Sequence, residues 1–174
     1  MKIDTIRHSI SHIMAQAVKD IFKDASPTGR QVKFGIGPII ENGFYYDFGL
    51  EKTLNPEDLP KIEKQMKELI KQNIKFEKSL ATKEQAKKLF KDQPFKLELI
   101  NEKSKVPGLA KRSGAGKSQK LTIYKSGDFT DLCAGPHIKS TKEINPEAFK
   151  LIKIAGAYWR GDEKNPMLQR IYGV

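Results

Sequence analysis

The chain has 174 residues, 38% of them hydrophobic and 30% charged, with one cysteine and a formal charge of +11. That length suits one domain or at most two small ones, and the apolar content is enough for a core, which excludes a disordered chain. No apolar run approaches the roughly 18 residues of a membrane span, the first residues lack the layout of a secretory signal, and one cysteine cannot close an internal disulfide; a cytoplasmic protein with no membrane partner is expected.

The excess of 32 Lys+Arg over 21 Asp+Glu favours a polyanionic partner, with nucleic acid the first candidate. Along the chain, Asp4 is placed to cap a helix that runs to about Phe22. Ile6, Ile10, Ile13, Met14, Ala17 and Ile21 form its apolar stripe. His8 and His12 are i,i+4 neighbours on nearly the opposite face, which aims both rings at solvent or a cleft. "QVKFGIGPI" and "GFYYDF" flank "IENG" and predict a hairpin. Asn55-Pro56-Glu57-Asp58 predicts the start of a second helix, with Leu59, Ile62, Met66, Leu69 and Ile70 as its apolar face. Thr82 and Gln85 have the spacing of a capping box ahead of a short helix to Phe90.

"FKLELI", Phe95 to Ile100, alternates as a strand does, which would put Lys96 and Glu98 on one face. Residues 107–120 are rich in Gly, Ser and Lys and predict a basic hairpin tip or RNA-contacting loop. Gly116-Lys117-Ser118 resembles the end of a phosphate loop, but Lys111 stands where the loop needs its first glycine, so nucleotide hydrolysis is not expected. "KLTIYKSGDFTDL", "AFKLIKIAGAYWRG" and "MLQRIYGV" supply the remaining strands. Hairpin-like strand runs with helices early and midway predict an α+β fold, a mostly antiparallel sheet packed with helices. No internal repeat or long linker divides residues 1–174, so a single domain is expected.

All three histidines and the only cysteine fall in two short segments, "RHSISH" and "DFTDLCAGPH". Gly135 and Pro136 make a strand-to-turn segment of Cys133-x3-His137. His8, His12, Cys133 and His137 together could ligate zinc tetrahedrally or do acid–base work near neutral pH. Asp131 lies two residues before Cys133, so on a strand the two share a face and Asp131 could orient a histidine or hold a hydroxyl or amine.

The combination "RHSISHIMAQAV", "GIGPIIENGFYYDF", "DFTDLCAGPH", "LIKIAGAYWRGD" and "MLQRIYG" resembles the editing domain of bacterial threonyl-tRNA synthetases, in collinear order over essentially the whole chain. The HxxxH and CxGxH pair is shared with alanyl-tRNA editing domains. "GFYYD" and "AYWRGD" are similar to the threonyl branch. The resemblance implies hydrolysis of mischarged Ser-tRNA(Thr), with tRNA as partner and, in a longer chain, a synthetase core. It implies no ATP-binding core and no anticodon-binding domain on these residues. It places His8, His12, Lys96, Cys133 and His137 in the catalytic set, and Asp131 and Tyr46 against the substrate. It implies a site that requires no metal, although alanyl-type relatives use the corresponding four residues as ligands, so zinc stays open. Two other readings fit the same residues: an alanyl-type editor of Ser- or Gly-tRNA(Ala), and a non-catalytic RNA-binding module held by structural zinc.

Overall fold

The computed structural model describes residues 2–23, 31–102, 110–111 and 120–174. Its elements, in order, are α1 (Lys2–Phe22), β1 (Lys33–Phe34), β2 (Ile39–Ile40), β3 (Gly43–Gly49), α2 (Asp58–Lys71), β4 (Phe76–Ala81), α3 (Lys83–Leu89), α4 (Pro94–Asn101), β5 (Ala110–Lys111), β6 (Lys120–Ser126), β7 (Phe129–Leu132), β8 (Leu151–Tyr158) and β9 (Met167–Gly173). The fold is α+β, and every strand pair is antiparallel. One sheet runs β1-β3-β9-β8, with β2 also on β3; the other runs β4-β6-β5, with β7 also on β6.

The period-2 alternation of "GFYYDF" decides how β3 divides the molecule. Phe44, Tyr46 and Phe48 point into the main core with Ile171 of β9. Tyr45 and Asp47 point the other way, and Arg170 lies over both. Its guanidinium forks onto Asp47 at 2.6 and 2.9 Å and stacks 3.8 Å from the Tyr45 ring centre.

Helix α1 lies on the core face of β3 and also touches β2 and β7, with α2 packed along it. Ser9 through Val18 are therefore buried without interruption. A surface helix would bury only one stripe. The polar face of α1 is covered too, so His12 is a buried residue and faces a cleft rather than solvent. The helix also starts at Lys2, which puts Asp4 in its first turn rather than at its cap.

Two other boundaries shift. Helix α2 begins at Asp58, whose carboxylate accepts the Asn55 N–H at 3.0 Å, so the acid caps the turn before it and Asn55 does not cap the helix. "FKLELI" is helix α4, not a strand, with Pro94 in its first turn. The buried set Phe95, Lys96 and Ile100, with Leu99 partly buried, follows helical i,i+4 spacing. The alternation in six residues was coincidental, and the proline before them was the stronger signal. In a helix Lys96 and Glu98 lie about 200° apart. They therefore serve different neighbours. The capping box is formed in full: Thr82 Oγ accepts Gln85 N–H at 3.2 Å and Gln85 Oε1 accepts Thr82 N–H at 2.8 Å. The basic loop at 107–120 lies outside the described residues apart from the backbone of β5 and Lys120. Among the described residues no helix is long and apolar enough to cross a membrane.

Ile62 is fully enclosed where α2 meets the core. Ile62→Ala should cost about 2–5 kcal/mol, read as a lower denaturant midpoint at unchanged slope.

Candidate functional site

A cavity of about 640 Å³ opens between α1, the β1–β2 connection, α4 and the end of β7. His8 and His12 enter it from α1, Lys96 from α4, and Asp131 and Cys133 from β7 and the turn beyond. His137 stands behind them, its ring 4.2 Å from His8 and 4.1 Å from His12, and stacked on Phe76 at 5.0 Å. Seven residues singled out from sequence, Tyr46 included, thus meet in one region.

The turn after β7 brings Cys133 and His137 together. The peptide Gly135–Pro136 is cis, and Gly135 has φ +74°, where a side chain would run into Tyr124. Gly135 N–H donates to Cys133 Sγ at 3.3 Å. The same sulfur lies 3.2 Å from His8 Nε2 and 3.3 Å from His137 Nε2. His8 Nδ1 lies 3.2 Å from the Pro136 carbonyl, which can only accept, so Nδ1 carries the ring proton and Nε2 presents a lone pair.

Beside this cluster is a second, charged one. Asp131 takes the Tyr46 hydroxyl on Oδ2 at 2.6 Å, pairs with Lys96 through Oδ1, and lies 3.6 Å from His12 Nε2. Lys96 also donates to the Tyr46 oxygen at 3.2 Å. The side chains of Lys96 and Asp131 are only 2% and 3% exposed. Two ions so far from water persist because each has the other and a hydroxyl. Two of the three Lys96 N–H groups are thereby engaged, and the third has no protein partner among the described residues.

Electrostatics keep the imidazoles and the thiol neutral. Burial lowers the affinity of His8 for a proton, and lowers that of His12 and His137 much further; for His137 the neighbouring rings add to it. Burial and the Asp131 charge push the Cys133 thiol up to about 12. A thiol held protonated at neutral pH is a poor nucleophile.

The four residues also fit a metal. One donor atom from each of His8, His12, Cys133 and His137 lies within 4.8 Å of every other. That set of nitrogens and one sulfur suits tetrahedral zinc. Each ring further has a partner on its outer side: Pro136 O for His8, Ser9 Oγ for His137 and Asp131 for His12. Such outer contacts orient ligating imidazoles.

Several contributors escaped the sequence reading. Ser9 and Ser11, between the two α1 histidines, are fully buried. Ser11 Oγ lies 2.8 Å from the His8 carbonyl and 2.9 Å from the Gly37 carbonyl, so its one proton is shared between two acceptors and links the cavity wall to α1. Gly37 has no room for a side chain, since a Cβ would overlap the Tyr46 ring. Serine is a poor interior helix residue unless its hydroxyl has a partner, and that was the available signal. On the far side of α4, Glu98 accepts Trp159 Nε1–H at 2.8 Å and pairs with Arg160 at 3.1 Å; Arg160 also reaches Glu102. "YWRG" is thus the clamp that holds the helix bearing Lys96.

A family model described as the second additional domain of threonyl and alanyl tRNA synthetases matches residues 121–172. Threonine–tRNA ligases match nearly the whole chain. That of Dehalococcoides mccartyi strain BAV1 is 49% identical over 172 residues, 99% of this chain and 26% of the relative. Those of Staphylococcus carnosus and Thermotoga petrophila are 46% identical over 172 residues and 50% over 169, covering 99% and 97% of this chain and 23% of each relative. Residues 121–172 thus belong to the family of threonyl- and alanyl-tRNA synthetase second additional domains, and the chain as a whole is similar to part of threonine–tRNA ligases. It spans about a quarter of the length of these curated relatives. The segment matched by the family model carries Asp131, Cys133 and His137 of this second additional domain, and the longer alignments take in α1, β3 and α4 as well.

Because all three imidazoles take up protons less readily when folded, the unfolded chain binds protons that the native domain does not. Their contribution to stability is therefore complete above the unfolded value of 6.5 and is lost as pH falls below it. Denaturant midpoints measured with chelator present should be level from pH 8 to about 7 and drop progressively toward pH 5.

Proposed function

We propose that this domain hydrolyses the aminoacyl ester of Ser-tRNA(Thr), releasing serine and tRNA. The observation that carries the reading is the convergence in one cavity of a neutral imidazole–thiol cluster with a buried Lys96–Asp131 pair. Serine lacks one methyl of threonine, which is worth only about 1–3 kcal/mol in a binding pocket, so a second site that destroys the smaller product is the physical remedy.

Water forms a bond to the ester carbon, the bond to the ribose oxygen breaks, and the proton lost by water ends on that oxygen. His8, neutral and with Nε2 bare, accepts the proton from water; the neighbouring ribose hydroxyl can assist. The uncommitted N–H of Lys96 faces the developing oxyanion. Asp131 has about four lone-pair sites and three neighbours, which leaves it one for the serine ammonium. Tyr46 holds Asp131 and Lys96 in register. Cys133 positions water and narrows the pocket against the threonine methyl, and does not attack. If zinc is bound, His8, His12, Cys133 and His137 would hold it, and it would supply Lewis acidity toward water or carbonyl.

The test is release of serine from Ser-tRNA(Thr), with Thr-tRNA(Thr) and Ser-tRNA(Ala) as comparisons. Preferential turnover of the first is expected. Preference for Ser-tRNA(Ala) would make the domain an alanyl-type editor, and tRNA binding without turnover, with unfolding on chelation, would make it a structural module. His8→Ala should slow deacylation about 10²- to 10⁴-fold. No acyl-enzyme should accumulate on Cys133 in rapid-quench experiments.

Lys96→Ala should abolish turnover and also cost about 3–5 kcal/mol of stability, because it leaves the Asp131 carboxylate buried and unpaired. Lys96→Ala combined with Asp131→Asn should recover stability, seen in thermal melts, without recovering activity. With a charge of +11, the domain should lose tRNA affinity steeply as salt rises.

A further inference from the structure

Ser9 sits between the two α1 histidines, fully buried, and its hydroxyl oxygen has three neighbours. The Thr5 carbonyl is nearest, at 2.8 Å; the Ile138 N–H and His137 Nδ1 are each at 3.1 Å. A hydroxyl has one proton to give and two lone pairs to offer. The proton goes to the Thr5 carbonyl, which can only accept. The Ile138 N–H takes one lone pair. The remaining lone pair faces His137 Nδ1, so that nitrogen must be the donor.

A neutral ring protonated at Nδ1 has its lone pair at Nε2. That lone pair points at Cys133 Sγ, 3.3 Å away. His8, fixed by the Pro136 carbonyl, presents a second Nε2 lone pair to the same sulfur. One thiol proton cannot serve both. The trio is one donor short, and two of its members, His8 and Cys133, line the cavity.

We propose that Ser9 is a positioning residue that holds His137 in its Nδ1–H form and so keeps one imidazole lone pair of the His8–His137 pair open, free to accept the O–H of a water from the cavity or to coordinate a cation. This rests on the hydrolytic reading for its catalytic consequence and on hydrogen-bond geometry alone for the tautomer. The opposite arrangement is a closed circuit: Ser9 donates to His137 Nδ1, His137 Nε2–H to the thiol, and the thiol to His8. It would leave neither the His8 nor the His137 lone pair open.

Long-range proton–nitrogen correlation spectra of nitrogen-15-labelled, chelator-treated protein at pH 7.5 distinguish the two. The expected His137 pattern is protonated Nδ1 with unprotonated Nε2. A wild-type spectrum with the proton on Nε2 overturns the proposal, and it decides the matter even if variants fail to fold. In folded Ser9→Ala the preference should weaken, and deacylation should fall about 10- to 100-fold in kcat with KM little changed. An unchanged His137 spectrum in that variant would also overturn it. Wild-type protein that shows the Nδ1–H pattern but no deacylation would remove the proposed function and leave the role of Ser9 standing.

Discussion

The ammonium of Lys96 meets the carboxylate of Asp131 where α4, β7 and β3 converge, and much of the molecule is arranged to make that pair tolerable. Each ion alone would cost several kcal/mol to bury. Together, with the Tyr46 hydroxyl bridging them, they hold three elements that are distant in sequence. On its other side α4 is fixed in turn, where Glu98 binds Trp159 and Arg160 in the β8–β9 connection. Arg160 adopts φ 60°, a conformation that costs a non-glycine residue energy, and its two carboxylate partners offset that cost.

The same economy governs α1. A helix with only one apolar stripe could have lain on the surface, with its histidines in water. Here β3, β7 and α2 enclose it. Enclosure strips water from the imidazoles, which keeps them neutral, and it makes partners valuable for the polar groups beside them, although Gln16 Oε1, one turn further along the same face, has none among the described residues. Around His8 and His137, Ser9, Ser11 and the Pro136 carbonyl supply those partners. The hydrogen bonds that satisfy burial are therefore also the ones that orient the rings.

What could be read from sequence divides along the range of the forces involved. The Thr82–Gln85 capping box and the β2–β3 hairpin are short-range, and both formed as expected. The His/Cys pairing was legible because rare residues were concentrated in two segments. Resemblance drew in Lys96, Asp131 and Tyr46, and the structure brings all three into the same region. The secondary structure around Lys96 was misread, because six alternating residues fit a strand as well as a short helix and the deciding contacts come from Trp159 and Leu168, more than 60 positions away. For Ser9 the sequence offers only a serine inside a helix, because the partners that give it a role, His137 and Ile138, are more than 120 positions away.

One property of the cluster bears on both water and metal chemistry. Three neutral imidazoles and a protonated thiol carry no net charge, yet their lone pairs outnumber the protons available to fill them. A cation fills such a deficit by coordination and water fills it by donation. The neighbouring Lys96 ammonium opposes a further positive charge at this spot, and its contribution at His12 has that sign. The Asp131 carboxylate opposes the ammonium in turn, favouring the charged imidazole at His8 and His137. The charges nearest the cluster thus oppose one another, Lys96 disfavouring and Asp131 favouring positive charge on the imidazoles, so one buried ion pair sets the electrostatic background against which the cluster's lone pairs find their partners.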